Sequence, residues 1–258
     1  MLPDERRYAL VKLLLQQENG AASVARLAEL FSVSEMTIRR DLTWLEARSQ
    51  VRRIHGGAIV TVNDHSERPF TERAVAYNKQ KQSIGAVAAH LVEDGDRIIL
   101  DAGTTTREVA RHLLNRRDLT VITNALPVAQ ELAEAPDINV IILGGVLKQE
   151  ELCTVGPMVI RELARLSVNK LFLSAAGFDP ERGLTDPDLQ EADVKEAMIL
   201  TADRVFLVAD SSKWRRVALA RIAPLARIEA LITDEGLTAA ARVALKSAGI
   251  NVITPGML

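Results

Sequence analysis

Cysteine, aromatic residues and long apolar runs are all scarce in this chain of 258 residues. Cys153 is the single cysteine, so an intramolecular disulfide and a multi-cysteine metal site are both excluded. The four histidines, His55, His65, His90 and His112, are scattered without metal-ligand spacing, so neither a metal nor another cofactor is expected. Aromatics make up 3% of the residues, which leaves the core to Leu, Ile, Val and Ala. The longest apolar stretches, such as Val140 to Leu143 and Val205 to Ala209, are far too short to span a bilayer. The opening MLPDERRYAL has no apolar stretch of the signal-peptide kind. A cytoplasmic location without a membrane partner is the expectation. Low-complexity segments and internal repeats are missing too.

Charge of one sign is also lacking. The formal net charge is −2, which argues against a nucleic-acid coat but leaves room for one small DNA-reading module. Residues 1–60 hold nine Lys/Arg against seven Asp/Glu, a weak basic bias. With 48% hydrophobic and 26% charged residues, the composition is that of an ordinary globular protein. The length suits a small domain joined to a larger one.

Two regimes divide the chain. From Pro3 to about Trp44 the pattern reads as helical throughout. Pro3, Asp4 and Glu5 suit a first helical turn, and Asn19-Gly20 stops that helix. Ser23 and Ser34 are the predicted caps of a second and a third helix. Val51 to Val60, with Gly56-Gly57 at its centre, reads as strand, tight turn, strand. Residues 61–78 are polar, contain Pro69 and read as a linker. Beyond residue 79, apolar strands alternate with amphipathic helices. The strands are expected at 97–101, 120–123, 139–143, 170–174, 204–209, 230–233 and 251–253. That alternation predicts an α/β fold with a parallel sheet. The expected domains are therefore 1–60, a linker over 61–78, and a larger domain over 79–258.

The stretch VARLAELFSVSEMTIRR has helix-turn-helix character, with the second helix entering the major groove. Val33, Ile38 and Leu42 face inward in this reading. Ser34, Met36 and Thr37 lie on the leading turn, where hydroxyls read bases or phosphate and a thioether meets a thymine methyl. Arg39 and Arg40 reach phosphate or guanine. The hairpin VRRIHGGAIV adds Arg53 and His55, as a basic wing would. The bland alternative is a small bundle with solvated arginines.

In the larger domain, DRIILDAGTTTREVARHL ends a strand at Asp101 and opens a helix at Gly103, Thr104, Thr105 and Thr106. Backbone amides and hydroxyls at a helix start make an anion site. The same turn also reads as a capped helix that binds nothing. Other strand ends carry Asn124, Gly145, Gly177 and Asp210 with Lys213. Ligands of open parallel sheets sit beyond such carboxyl ends. Lys195 and Lys213 are the two cations available to a shared crevice, and each alone also reads as a surface lysine.

The run VSEMTIRRDLTWLE followed by RIHGGA closely resembles the DeoR family of bacterial repressors. One departure is Ser49, where that family usually has a glycine. The resemblance continues through LDAGTTT, TNALPVA, LGG, VGPMVI, AAGFDPERGLT, EADVKEAM and ADSSKW. It implies a sensor domain similar in fold to ribose-5-phosphate isomerase and the CoA transferases. It further implies an operator in double-stranded DNA and a phosphorylated sugar-type effector controlling a carbohydrate catabolic operon. Carried onto this chain, the phosphate loop is Gly103 to Thr106, with Asp101, Asn124, Lys195, Asp210 and Lys213 lining the pocket. A homo-oligomer, dimer or tetramer, is expected because helix-turn-helix proteins commonly bind paired half-sites. The alternatives are a sugar-phosphate isomerase or CoA-transferase-like enzyme, with Glu191 and Asp186 as proton-transfer candidates, and a purely structural or protein-binding module.

Overall fold

A computed structural model describes residues 3–16, 21–46, 51–54, 56–60 and 69–257. The chain divides into two units, Met1–Ser66 with Ala74–Tyr77, and Glu67–Arg73 with Asn78–Leu258.

The first unit runs α1 (Pro3–Gln16), β1 (Ala21–Ser23), α2 (Val24–Phe31), α3 (Glu35–Glu46), β2 (Val51–Ile54) and β3 (Gly57–Val60). Its core is Leu10, Leu14, Val24, Leu27, Ile38, Leu42, Leu45, Val51 and Ala58. Both predicted caps form. Ser23 Oγ accepts the Arg26 N–H and Ser34 Oγ accepts the Thr37 N–H, each at 3.2 Å. Each cap satisfies a donor that the first helical turn leaves orphaned. Between the two helices Ser32 takes φ +51, ψ +45, and its N–H closes onto the end of α2. That left-handed residue makes the tight turn.

Two features go beyond the sequence reading. Ala21–Ser23 is not helical but pairs antiparallel with β3, giving the order β1-β3-β2. The hairpin alone would be marginal, and a third strand supports it. The strand also explains the second glycine of the turn. A Cβ on Gly57 would sit 2.4 Å from the Ala22 carbonyl oxygen. Secondly, Asp41 is buried and accepts from Arg6 Nε at 2.6 Å and Arg7 Nε at 2.9 Å. Arg7 also stacks 4.4 Å from the Trp44 ring centroid, so α1 and α3 are joined by charge as well as by packing.

The second unit contains α4 (Phe70–Val75, whose last residues belong to the first unit), α5 (Asn78–His90), β4 (Arg97–Leu100), α6 (Thr104–Arg111), β5 (Leu119–Thr123), α7 (Leu126–Leu132), β6 (Ile138–Ile142), β7 (Val146–Lys148) and β8 (Cys153–Val155). It continues with α8 (Pro157–Leu163), β9 (Val168–Leu173), β10 (Gly177–Asp179), β11 (Gly183–Asp186), α9 (Leu189–Thr201), β12 (Ala202–Val208), β13 (Ala220–Ala223), β14 (Ala230–Ile232), α10 (Ala239–Ser247) and β15 (Asn251–Ile253). Seven strands form a sheet in the order β15-β14-β12-β9-β4-β5-β6, every neighbour parallel. All seven predicted strands are there, shifted by no more than two residues at either end. Phe172 and Phe206 stack across β9 and β12 with centroids 5.4 Å apart.

The strands missed from sequence are short. The β7–β8 hairpin and the antiparallel sheet β10-β11-β13 use runs of three or four residues, too brief to show a period. The linker reading also changes. Residues 61–68 lie outside the described residues, but Phe70 opens a helix and is buried. Its N–H donates to the Glu150 carbonyl at 2.9 Å. One apolar anchor in a polar stretch gives too little pattern to read as an element.

Candidate functional site

In the first unit, α3 presents one polar face. Ser34, Met36, Arg39 and Arg40 are exposed and Thr37 is half-buried, while Ile38, Leu42 and Leu45 point into the core and Val33 packs against it. Met36 is 65% exposed on this face. Ser34 and Thr37 hydroxyls bond each other at 2.9 Å, which fixes both on the leading turn. Arg39 pairs with Glu35 at 3.2 Å, one turn back. Thr43, exposed on the same face, donates to the Arg39 carbonyl at 2.8 Å and was not anticipated. Its spacing of three and four from Arg40 and Arg39 is the signal that would have found it. Arg53 lies on β2, with its side chain outside what the structure describes. His55 and Ser49 lie outside the described residues.

In the second unit, parallel strands bring the residues after β12, β9, β4 and β5 to one edge of the sheet. These are Asp210, Ser174, Asp101 and Asn124. Asp101 is fully buried and accepts from the Ala102 N–H at 2.7 Å and from both the N–H and the hydroxyl of Ser174 at 2.9 Å. Lys195, on α9, places its ammonium 2.7 Å from Asp186, 3.6 Å from Asp101 and 3.4 Å from the Ser174 hydroxyl. Burial pushes the Asp101 carboxyl up, against the pull of Lys195 and the Ser174 bonds. Ser174 is the missed member of this cluster. Its sequence signal is its place one residue past β9, as Asp101 is one past β4.

Gly103 presses against the cluster. A Cβ there would meet Ser174 Cβ at 3.0 Å and Oγ at 3.1 Å, so the start of α6 lies directly over the buried charges. Thr104 and Thr105 are nearly buried, and the Thr106 hydroxyl donates back to the Gly103 carbonyl at 2.9 Å. Asn124 donates through Nδ2 to the Thr154 carbonyl at 2.8 Å, and its Oδ1 is buried without a partner. A buried orphan acceptor costs on the order of 1–3 kcal/mol unless something supplies a donor.

A second carboxylate group adjoins the first. Glu191 and Asp188, at the start of α9, hold Lys148 of β7 at 2.6 and 2.9 Å. Burial pushes Glu191 up to about 7, opposed by Lys195 and reinforced by Asp186. Burial would lower the Lys148 ammonium, but its bonds to Glu191 and Asp188 hold it above its ordinary value. The two carboxylates considered for proton transfer are thus each paired with a lysine. Burial, with Glu191 and Asp101 nearby, also holds the Cys153 thiol up and unreactive.

The remaining predicted residues are placed differently. Asp210 is buried and accepts the Ser212 N–H at 3.0 Å, capping a single 3-10 turn that carries half-buried Lys213. The following Trp214 packs 5.5 Å from Phe178 and anchors that segment. Gly145 and Gly177 serve close packing. A Cβ would meet the Val155 carbonyl oxygen at 2.7 Å and that of Arg216 at 2.2 Å respectively. The nearest atoms to either Cβ position belong to residues outside the Asp101 cluster.

Comparisons with known proteins agree with this architecture. A family model for the DeoR-like helix-turn-helix domain matches residues 6–63, and one for the DeoR C terminal sensor domain matches residues 77–235. The HTH-type transcriptional regulator YulB of Bacillus subtilis is 40% identical over 98% of this chain and 96% of its own. The transcriptional repressor AccR of Agrobacterium fabrum is 36% identical over 89% of each chain. Ribose 5-phosphate isomerase A of Methanocaldococcus jannaschii is similar at 17% identity and a TM-score of 0.41, covering 55% of this chain and 56% of the other, a likeness that carries no weight for function. Among the described residues no helix is long and apolar enough to cross a membrane. Matched by both domain models and by relatives named as regulators over nearly its whole length, the chain belongs to the DeoR family and is a DNA-binding transcriptional regulator rather than an enzyme.

Proposed function

We propose that this regulator represses a carbohydrate catabolic operon in the cytoplasm and that a phosphorylated sugar-type metabolite controls it. The operator is read by α3. Ser34, Met36 and Thr37 meet base edges, Arg39 and Arg40 meet phosphate or guanine, and Arg53 and His55 steady the wing on the backbone. The protein acts as a homo-oligomer, so that paired modules meet paired half-sites.

The effector phosphate binds at the start of α6, on the amides and hydroxyls of Gly103, Thr104, Thr105 and Thr106. Lys195 and Lys213 supply positive charge. Asp101, Asp210 and Asn124 bond sugar hydroxyls, and Gly145 and Gly177 let the surrounding loops close in. The observation that carries the reading is the buried Asp101–Ser174–Lys195–Asp186 cluster packed directly beneath Gly103 at the carboxyl edge of the sheet. A network so dehydrated is rigid, and rigidity is what holds an anion loop open for a ligand.

The purified chain is mixed with DNA from upstream of its own gene, and anisotropy is read at rising potassium chloride and against a panel of sugar phosphates. Affinity is expected to fall steeply with salt as counterions are released. At about a hundred times its Kd the effector adds roughly 2.7 kcal/mol of stability. It also changes operator affinity, which requires unequal binding to two states. A panel in which no phosphorylated sugar moves either Tm or DNA affinity refutes the sensing role and leaves DNA binding intact.

A further inference from the structure

Four of the ties that hold the β7–β8 hairpin join two regions of the second unit. Two come from the candidate effector crevice. Lys148 of β7 is held by Glu191 at 2.6 Å, and the Thr154 carbonyl of β8 accepts from Asn124 Nδ2 at 2.8 Å. The Thr154 N–H also donates to the Asn124 carbonyl at 2.8 Å. Lys148 stands opposite Cys153 and Leu147 opposite Thr154, so both ties lie on adjacent rungs of one short ladder.

The other two ties leave from the turn that joins the strands. The Glu150 carbonyl accepts the Phe70 N–H at 2.9 Å, and buried Glu151 pairs with Arg73. Phe70 and Arg73 are the first turn of α4, and Lys81 of α5 closes on the Arg73 carbonyl. The boundary between the two units falls inside α4, between Arg73 and Ala74.

We propose that the β7–β8 hairpin is the lever that carries effector occupancy to α4 and from there to the DNA-binding unit. This rests on the effector crevice proposed above. A phosphorylated sugar in that crevice competes through its phosphate with Glu191 for the Lys148 ammonium and donates a hydroxyl to Asn124 Oδ1, so both strands of the hairpin feel it at once. A three-rung hairpin has few ladder bonds of its own and moves as a piece. Its turn then shifts the carbonyl and the carboxylate on which the start of α4 rests.

Hydrogen exchange on the full chain tests the lever without any effector. Lys148→Met cuts the tie to Glu191 and is expected to speed amide exchange over residues 70–75 about tenfold, the size of an ordinary allosteric coupling. Lys148→Arg restores the pairing and the slow rate. Arg204→Met breaks an exposed ion pair with Glu229 elsewhere and leaves α4 unchanged. Coupling is reciprocal. Phe70→Ala changes no charge, yet by loosening the hairpin it is expected to raise the Glu191 protonation midpoint, read by NMR, by about one unit, the same tenfold. Unchanged α4 exchange in Lys148→Met, or an unchanged Glu191 midpoint in Phe70→Ala, overturns the lever. Inorganic phosphate tests the crevice separately. If it leaves exchange at residues 103–106 unaltered, the phosphate loop fails while the two variants still decide the lever.

Discussion

Replacing Lys195 by methionine tests whether the crevice beneath Gly103 is the dehydrated network its geometry describes. The ammonium is 4% exposed and lies 2.7 Å from Asp186 and 3.6 Å from Asp101, which are 0% and 1% exposed. Methionine matches the volume and removes the charge. Two buried carboxylates then face each other without a cation. Breaking a buried pair by removing one partner typically costs 3–5 kcal/mol, and the bonds from Ser174 and Ala102 that remain on Asp101 place this case near the lower end, about 3 kcal/mol. In a unit of this size that is a fall in Tm of roughly 10 °C. The pH dependence has a definite sign. Burial already raises the Asp101 carboxyl in the folded chain, and loss of Lys195 raises it further. A carboxyl raised on folding costs nothing below its unfolded value of about 3.9 and costs progressively more as pH climbs through its folded value. The deficit of Lys195→Met is therefore full at pH 8 and shrinks toward pH 4. Adding Asp186→Asn removes one of the stranded charges and is expected to recover about half of it. Calorimetry at pH 5 and pH 8 on the wild type and the two variants reads all of this. Equal Tm for wild type and Lys195→Met at pH 8, or a deficit indifferent to pH, would show the cluster to be solvated and the reasoning wrong.

Glu191 gives a second pH signature. Its folded value of about 7 stands above the ordinary carboxyl range, so the stability it contributes is present at low pH and is lost as pH rises through 7. Tm is expected to drop as pH climbs from about 4.5 to about 7 and to level off above, and Glu191→Gln should flatten that drop. In the first unit, Asp41→Ala removes the carboxylate that Arg6 and Arg7 share, and these arginines are only 11% and 20% exposed. A loss of about 2 kcal/mol follows, with the helix-turn-helix melting roughly 10 °C earlier by hydrogen exchange while the sheet unit is unmoved. Arg40→Ala is expected to weaken operator binding and lower the slope of log affinity against log salt by about 1, the mark of one lost phosphate contact. An unchanged slope would assign Arg40 to a base edge or to no contact.

The site was legible where its pattern is local. Asp101 with Gly103 to Thr106 is a strand end and a helix start within six residues, and Ser23 and Ser34 are caps that bond three residues ahead. Lys195 and Lys213 are both named by their motifs, and only contacts reveal that Lys195 is the one enclosed by carboxylates. Ser174 had only its place one residue past a strand end to mark it, and Lys148 carried no signal of its own. Each owes its place to a partner 43 to 73 residues away. Asp41 is the same case, since an acid in the middle of α3 looks solvated until α1 folds against it.

Period, caps and turns are properties of neighbours along the chain. The sequence by itself therefore determined the two regimes, the helix-turn-helix with its exposed face, and the seven strands of the parallel sheet. The winged helix-turn-helix gained its third strand only in three dimensions, because Ala21–Ser23 has no pattern until β3 offers it hydrogen bonds. The order of the large sheet was likewise decided by tertiary structure. It sets β9 beside β4, and so brings Ser174 and the Lys195 ammonium onto Asp101. Burial and charge compensation depend on which surfaces meet across the sheet, and no local pattern encodes that meeting.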